Sequence, residues 1–200
     1  MNPRPIKIGI AGTHSTGKST LISKIRQGVA ERGLAVGCIS DLATRAKALG
    51  FPILTQHTYE STLWIMAECL RQEAEASLSR EVVLIDRPLF DALGYFEAAL
   101  EISGRCAQPR QLEELRSLAG AHTPEYDLLI VTILDNSVTL GAGRDQNAFY
   151  REAAGRHIAR FAARFAPGAL QMTSTNAAEV ATATVNFIFK RKELSSSSLA

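Results

Sequence analysis

Residues Gly12-Thr13-His14-Ser15-Thr16-Gly17-Lys18-Ser19 satisfy G-x-x-x-x-G-K-[ST] at every defined position. That spacing suits the binding of a polyphosphate. Glycines let consecutive backbone N–H groups approach anionic oxygens, and a helix beginning at the lysine adds its N-terminal partial positive charge. The pattern assigns Lys18 to the β- and γ-phosphates and the Ser19 hydroxyl to Mg²⁺, with Thr20 as the second hydroxyl. His14, Ser15 and Thr16 contribute chiefly backbone donors. The expected cofactors are therefore ATP and Mg²⁺, with Gly12 through Thr20 as the nucleotide-binding segment.

Further chemistry-bearing residues follow the short apolar runs. Asp86 closes Val82-Val83-Leu84-Ile85 and suits the acidic partner of Mg²⁺. Its alternative is to cap a helix starting near Pro88. Arg87 beside it can hold a phosphate or substrate group with a planar fork of donors, or form a surface salt bridge. Asp41 is the candidate general base, because a hydroxyl acceptor profits from a carboxylate within hydrogen-bond reach; it could equally cap the segment 42–49. Arg45, four residues on, shares its helical face and could pair with Asp41 or meet the acceptor. Arg144 and Arg151 flank a polar connection at about 134–145, and a lid over about 135–151 would bring them to a transferring phosphoryl group; a solvated basic helix face is the alternative. Gln72, polar beside an apolar stripe, is a candidate for base recognition.

These residues need a scaffold that gathers them. Apolar runs at 6–11, 36–40, 82–86, 127–134 and 169–173 read as five strands, with hydrophobicity too continuous for a sheet wetted on one face. Helical periodicity marks 18–32, 42–49, 58–79, 89–101, 109–120, 146–165 and 176–190. Gly33 suits a helix terminator, and Asn176 with Glu179 suits a capping box. Strand and helix alternate, which predicts an α/β, three-layer P-loop NTPase fold with a five-stranded parallel sheet. Ligands of such sheets bind beyond the carboxyl ends of the strands, where Asp41 to Arg45, Asp86-Arg87, the connection to Arg144 and Arg151, and Thr173 to Asn176 fall.

The chain has 200 residues, 46% of them hydrophobic, which suits a single domain over 1–190. Lys190-Arg191-Lys192-Glu193 leads into a serine-rich stretch, expected to be a mobile tail over 191–200. A net charge of +2 argues against a duplex nucleic-acid partner. Cys38, Cys69 and Cys106 are odd in number and far apart, as reduced core thiols are. With no apolar run long enough for a signal or a membrane span, a cytoplasmic location and no membrane partner are expected.

The loop 12–21, the segment Asp41 to Arg45, and Asp86-Arg87 with Leu89 and Asp91 together resemble the P-loop nucleoside and nucleotide kinases, in particular the small AAA-type ATPase domains related to bacterial ribosylnicotinamide kinase. The resemblance spans about 6–190. It implies a base at Asp41, Mg²⁺ and phosphate contacts at Asp86 and Arg87, and an arginine lid. Two positions depart from the family's pattern. The carboxylate after the second strand is usually glutamate, and the lid here reads Gly141-Ala142-Gly143-Arg144 without its usual acidic residue. The expected activity is phosphoryl transfer from ATP to a small hydroxyl acceptor such as a nucleoside. A nucleoside monophosphate kinase, a polynucleotide 5′-kinase and a regulatory ATP-binding module are the alternatives.

Overall fold

The structure, a computed structural model, describes residues 4–134 and 147–197. Strands β1 (Ile6–Ala11), β2 (Val36–Ile39), β3 (Val82–Asp86), β4 (Leu128–Thr132) and β5 (Leu170–Met172) form one parallel sheet in the order β2, β3, β1, β4, β5. The helices are α1 (Lys18–Ala30), α2 (Leu42–Ala48), α3 (Tyr59–Ala76), α4 (Leu89–Ser103), α5 (Pro109–His122), α6 (Ala148–Phe165) and α7 (Ala177–Ser197). The α/β reading and its five strands stand.

Period-two alternation divides the strand side chains between two cores. Ile6, Ile8, Ile10, Val82 and Leu84 pack with α1 and α7 on one face. Ala11, Val83, Ile85, Leu129 and Val131 pack with α2 to α6 on the other. All strands are parallel, so their carboxyl ends share one edge, and every loop named above leaves from it.

Helix α4 is the centre of the thicker layer. Residues Leu89 to Ala99 are all buried, as a helix that is apolar on nearly every side must be. Gly94 allows α6 to approach, since a Cβ there would lie 2.5 Å from the Ile158 side chain. Helix α3 begins with a reciprocal Thr58–Ser61 capping box, followed one turn later by apolar residues. Near its other end the fully buried Glu73 meets Lys7 of β1 (3.0 Å), His122 (2.9 Å) and Tyr126 (2.9 Å), which ties α3 to the sheet and to α5. Buried carboxylates persist only with such partners.

Strand and helix ends lie within a few residues of the sequence reading, with one larger difference. Helix α7 runs on to Ser197, past the 190 end of its apolar period and through part of the expected tail. Arg191 with Asp127 (2.8 Å) and Lys192 with Glu81 (2.8 Å) hold that extension by charge, which apolar periodicity does not register. Asn176 stands just before α7, and its side chain accepts from the Thr173 N–H (2.8 Å), fastening the end of β5.

Candidate active site

The phosphate loop leaves β1 at Ala11 and enters α1 at Lys18. Gly12 has φ 128°, and a Cβ there would come within 2.0 Å of the Thr132 hydroxyl oxygen, so both conformation and space require glycine. Gly17 has φ 86°, and Ser15 also adopts positive φ. The loop is gripped from α4. The Gly12 N–H donates to Asp91 Oδ2 (2.9 Å) and the His14 N–H donates to the Tyr95 hydroxyl (3.0 Å). Two of its donors are thereby committed to the protein. The N–H groups from Ser15 to Thr20 precede the first bond of α1, Leu21 N–H to the Gly17 carbonyl (3.0 Å). The Lys18 ammonium folds onto the Thr13 carbonyl within the loop.

Two hollows flank the loop. The larger, about 510 Å³, is lined by Ser19, Asp41, Asp86, Arg87, His57 and Tyr95 among others. Four of the residues singled out from the sequence for catalysis or metal binding thus share one cleft. The smaller hollow, about 200 Å³, lies between the loop and the β5 exit, lined by Ser15, Thr16, Gly17, Thr20, Thr173 and Ser174.

Asp41 stands at the N-cap position of α2 with φ 61°, and its side chain makes no capping bond. It accepts instead from the Ser40 hydroxyl (2.9 Å) and is exposed. Asp86 has a buried Oδ1 without a partner among the described residues. Arg87, at φ 75°, donates its N–H to the Ile10 carbonyl (3.0 Å) and its Nη1 to the Gly12 carbonyl (2.9 Å) and the Tyr95 hydroxyl (2.8 Å). Among the described residues, the non-glycine residues at positive φ are Ser15, Asp41, Leu54 and Arg87, and each lines one of the two hollows. Strained backbone, costing on the order of 1 kcal/mol or more per residue, is concentrated at the site.

Burial sets the protonation of two groups at the cleft, one behind it and one in its wall. Asp91 is fully buried, and loss of hydration pushes its carboxyl up to about 7 against the opposing charges of Arg87 and Lys18. Burial, followed by the positive charges of Arg105 and Arg87, pushes His57 down to about 4. That histidine is neutral at physiological pH.

Other candidates fall elsewhere. Arg45 is ion-paired with Glu68 (2.6 Å), and Gln72 donates to the same carboxylate (2.9 Å); neither lines the cleft. Arg151 is buried on α6, with Nε and Nη1 unpartnered among the described residues. One turn along the same face, Gly155 packs against Thr13 of the loop, where a Cβ would lie 3.6 Å from its methyl group. Arg144 and most of the expected lid lie outside the described residues. Asp91 and Tyr95 were missed as loop anchors, although they follow Arg87 at helical intervals of four. His57 carries no sequence signal.

The residues fit Mg²⁺. A hydroxyl on Ser19 and an unsatisfied carboxylate oxygen on Asp86 are hard donors facing the same cleft. Among the described residues no three His, Cys, Asp or Glu side chains converge into a metal cage, so the ion's remaining ligands would be phosphate oxygens and water.

A family model described as an AAA domain matches residues 7–183. No curated protein matches the chain. Among solved structures the chain is similar to deoxyadenosine kinase from M. mycoides with bound dATP, at 14% identity and a TM-score of 0.61, covering 90% of this chain and 100% of that one. It is similar to thymidylate kinase from Candida albicans at 16% identity and a TM-score of 0.63, covering 94% and 93%. NadR in complex with NR matches at 13% identity and a TM-score of 0.63, over 89% of this chain and 50% of that one. At these identities the likeness is one of fold.

Proposed function

Because the chain belongs to the AAA domain family matched over residues 7–183, and presents a phosphate loop beside a carboxylate-lined cleft, we propose that it transfers the γ-phosphoryl group of ATP to the hydroxyl of a nucleoside-like small molecule. The observation that carries this reading is the meeting of Ser19, Asp41, Asp86 and Arg87 around one cavity large enough for such an acceptor. The named activities of the similar structures, deoxyadenosine and thymidylate kinase, support the same class.

In this reading the triphosphate lies on the loop, with its base toward the Thr173–Ser174 hollow and its terminal phosphoryl group facing the cleft. Lys18 leaves the Thr13 carbonyl for phosphate oxygens. Ser19 and Asp86 hold Mg²⁺, which when bound neutralises phosphate charge. Asp41 accepts the acceptor hydroxyl's proton as the new O–P bond forms and the bond from the γ-phosphorus to the bridging oxygen breaks, releasing ADP. Arg87, its Nη1 held by Gly12 and Tyr95, presents the rest of its guanidinium to the acceptor side. Arg151 supplies positive charge beside the loop, and Arg144 is assigned to the lid.

The alternative of a nucleoside monophosphate acceptor needs a cation for a second phosphate. Arg45, one of the two arginines available for that task, is held by Glu68 outside the cleft, which favours the uncharged acceptor. The test is Mg²⁺-ATP turnover and product mass against nucleosides, nicotinamide riboside, nucleoside monophosphates and a 5′-hydroxyl oligonucleotide, with Lys18→Ala as control. Phosphorylation of a nucleoside is the expected result. Tight ATP binding without acceptor-dependent turnover would replace this reading with a regulatory nucleotide-binding module.

A further inference from the structure

Two side chains close the first three residues of the phosphate loop into a ring of hydrogen bonds. Arg87 Nη1 donates one N–H to the Gly12 carbonyl (2.9 Å) and the other to the Tyr95 hydroxyl (2.8 Å), and that same hydroxyl accepts from the His14 N–H (3.0 Å). A guanidinium and a backbone amide can only donate, so the Tyr95 oxygen accepts both bonds and its two lone pairs are taken. Burial pushes the phenol above its ordinary range, against the charge of Arg87, which keeps the oxygen a neutral hydroxyl.

Tyr95 is itself held from several sides. It is 7% exposed on α4, with Arg87 Cζ 4.9 Å from the centre of its ring. Its carbonyl accepts from the Tyr150 hydroxyl of α6 (3.2 Å), and the two tyrosine rings lie 5.9 Å apart. Asp91, one turn earlier on α4, holds the Gly12 N–H, so Gly12 is fixed through both of its backbone polar groups. The ring encloses Thr13, whose carbonyl carries the Lys18 ammonium. Arg87 lines the cleft on its other side. A guanidinium in the cleft and the ammonium of the loop are thus joined through one hydroxyl and three residues of backbone.

We propose that Tyr95 is a positioning residue that couples the two substrate sites, its hydroxyl holding Arg87 for the acceptor and the Gly12–His14 segment for ATP in one mutually dependent arrangement. The inference rests on the reading of the loop as the ATP site and of the cleft as the acceptor site. A displacement of Arg87 toward an acceptor changes what holds Gly12 and Tyr95, and through them the Thr13 carbonyl that Lys18 leaves when phosphate arrives. Such coupling is reciprocal, so whatever ATP does to acceptor affinity the acceptor does to ATP affinity.

The experiment is a double-mutant cycle read on nucleotide affinity. Calorimetry measures binding of a non-hydrolysable ATP analogue with Mg²⁺ to the full-length wild type, Tyr95→Phe, Arg87→Met and the double variant. Phenylalanine keeps the ring and removes the shared oxygen alone. Each single change is expected to weaken binding roughly fivefold or more, and the double variant to bind about as weakly as Tyr95→Phe. A double variant weakened by the product of the two single effects overturns the proposal, because Arg87 then meets the nucleotide independently of Tyr95. Unchanged affinity in Tyr95→Phe with a lowered Tm also overturns it, since the hydroxyl then serves the fold only. Hydrogen exchange at the His14 amide needs no change at Tyr95: Arg87→Lys, which keeps the charge but loses the planar fork, should speed it about tenfold, and an unchanged rate overturns the coupling. Non-additive affinities without a phosphorylated product from any acceptor would overturn the kinase reading alone, and a product with additive affinities would overturn the coupling alone. A wild type that does not bind the analogue overturns both.

Discussion

Asp41 and Asp91 are two carboxylates at opposite ends of exposure, and their environments assign them opposite work. Asp41 is solvent-facing, lines the cleft and is free of capping duty, as a proton acceptor for a hydroxyl needs to be. Asp41→Asn should lower kcat on the order of 10²- to 10⁴-fold while leaving ATP affinity nearly unchanged, which steady-state kinetics and nucleotide titration would separate. Asp91 does not reach the cleft; it holds Gly12 from behind. Asp91→Ala strands a buried N–H, so it should lose about 1–3 kcal/mol of stability and raise the KM for ATP. Asp91→Asn, whose amide oxygen can still accept from Gly12, should recover most of the KM effect. A KM equally raised in both variants would remove the loop-positioning role.

The elements that carry these residues depend on close approaches and caps. Gly12→Ala drives a methyl group into the Thr132 side chain and backbone at a φ of 128° and should cost about 3 kcal/mol, measured by urea denaturation. Thr58→Ala removes the α3 cap and should cost about 1 kcal/mol, a fall of about 2–4 °C in Tm by calorimetry. Most of this scaffold was legible because it is locally encoded. The β-branched runs, the glycine loop and the positions of Asp41, Asp86 and Arg87 after strand ends all follow from short-range pattern and parallel topology. Long-range pairings were not legible. Nothing near Arg45 in the chain announces that Glu68 will hold it, and nothing near His57 announces Arg105, whereas the bond from Gln72 to Glu68 is a local pair four residues apart on α3. The extension of α7 likewise depends on Asp127 and Glu81, carboxylates on distant elements.

At the scale of the whole molecule, two buried groups, His57 in the wall of the cleft and Asp91 behind it, set opposing responses to pH. The unfolded chain protonates His57 near 6.5 while the folded one resists to about 4, so stability present above 6.5 is lost as pH falls. Folded Asp91 keeps its proton to about 7 while the unfolded chain releases it near 3.8, so stability present at low pH is lost as pH rises. Glu97, held down to about 2 by His157 and arginine partners despite its burial, adds acid sensitivity only below 4.5. Between pH 4.5 and 6.5 the wild type should therefore show a nearly flat stability profile. His57→Gln should lose stability with rising pH across that window and Asp91→Asn should gain it, each by at most about 1.4 kcal/mol per pH unit. Urea midpoints at several pH values would reveal the two slopes, and parallel profiles for the two variants would refute the pairing.

The lysine of the phosphate loop also gives the resting molecule a threshold. Its ammonium already rests on the Thr13 carbonyl, so an arriving anion exchanges one oxygen partner for another instead of filling a vacant charge. A monovalent ion gains little from that exchange, whereas a polyphosphate engages the loop's N–H groups in the same event and draws the lysine across. On the proposed reading, anions are sorted by how many oxygens they bring at once, before any contact with base or sugar is made.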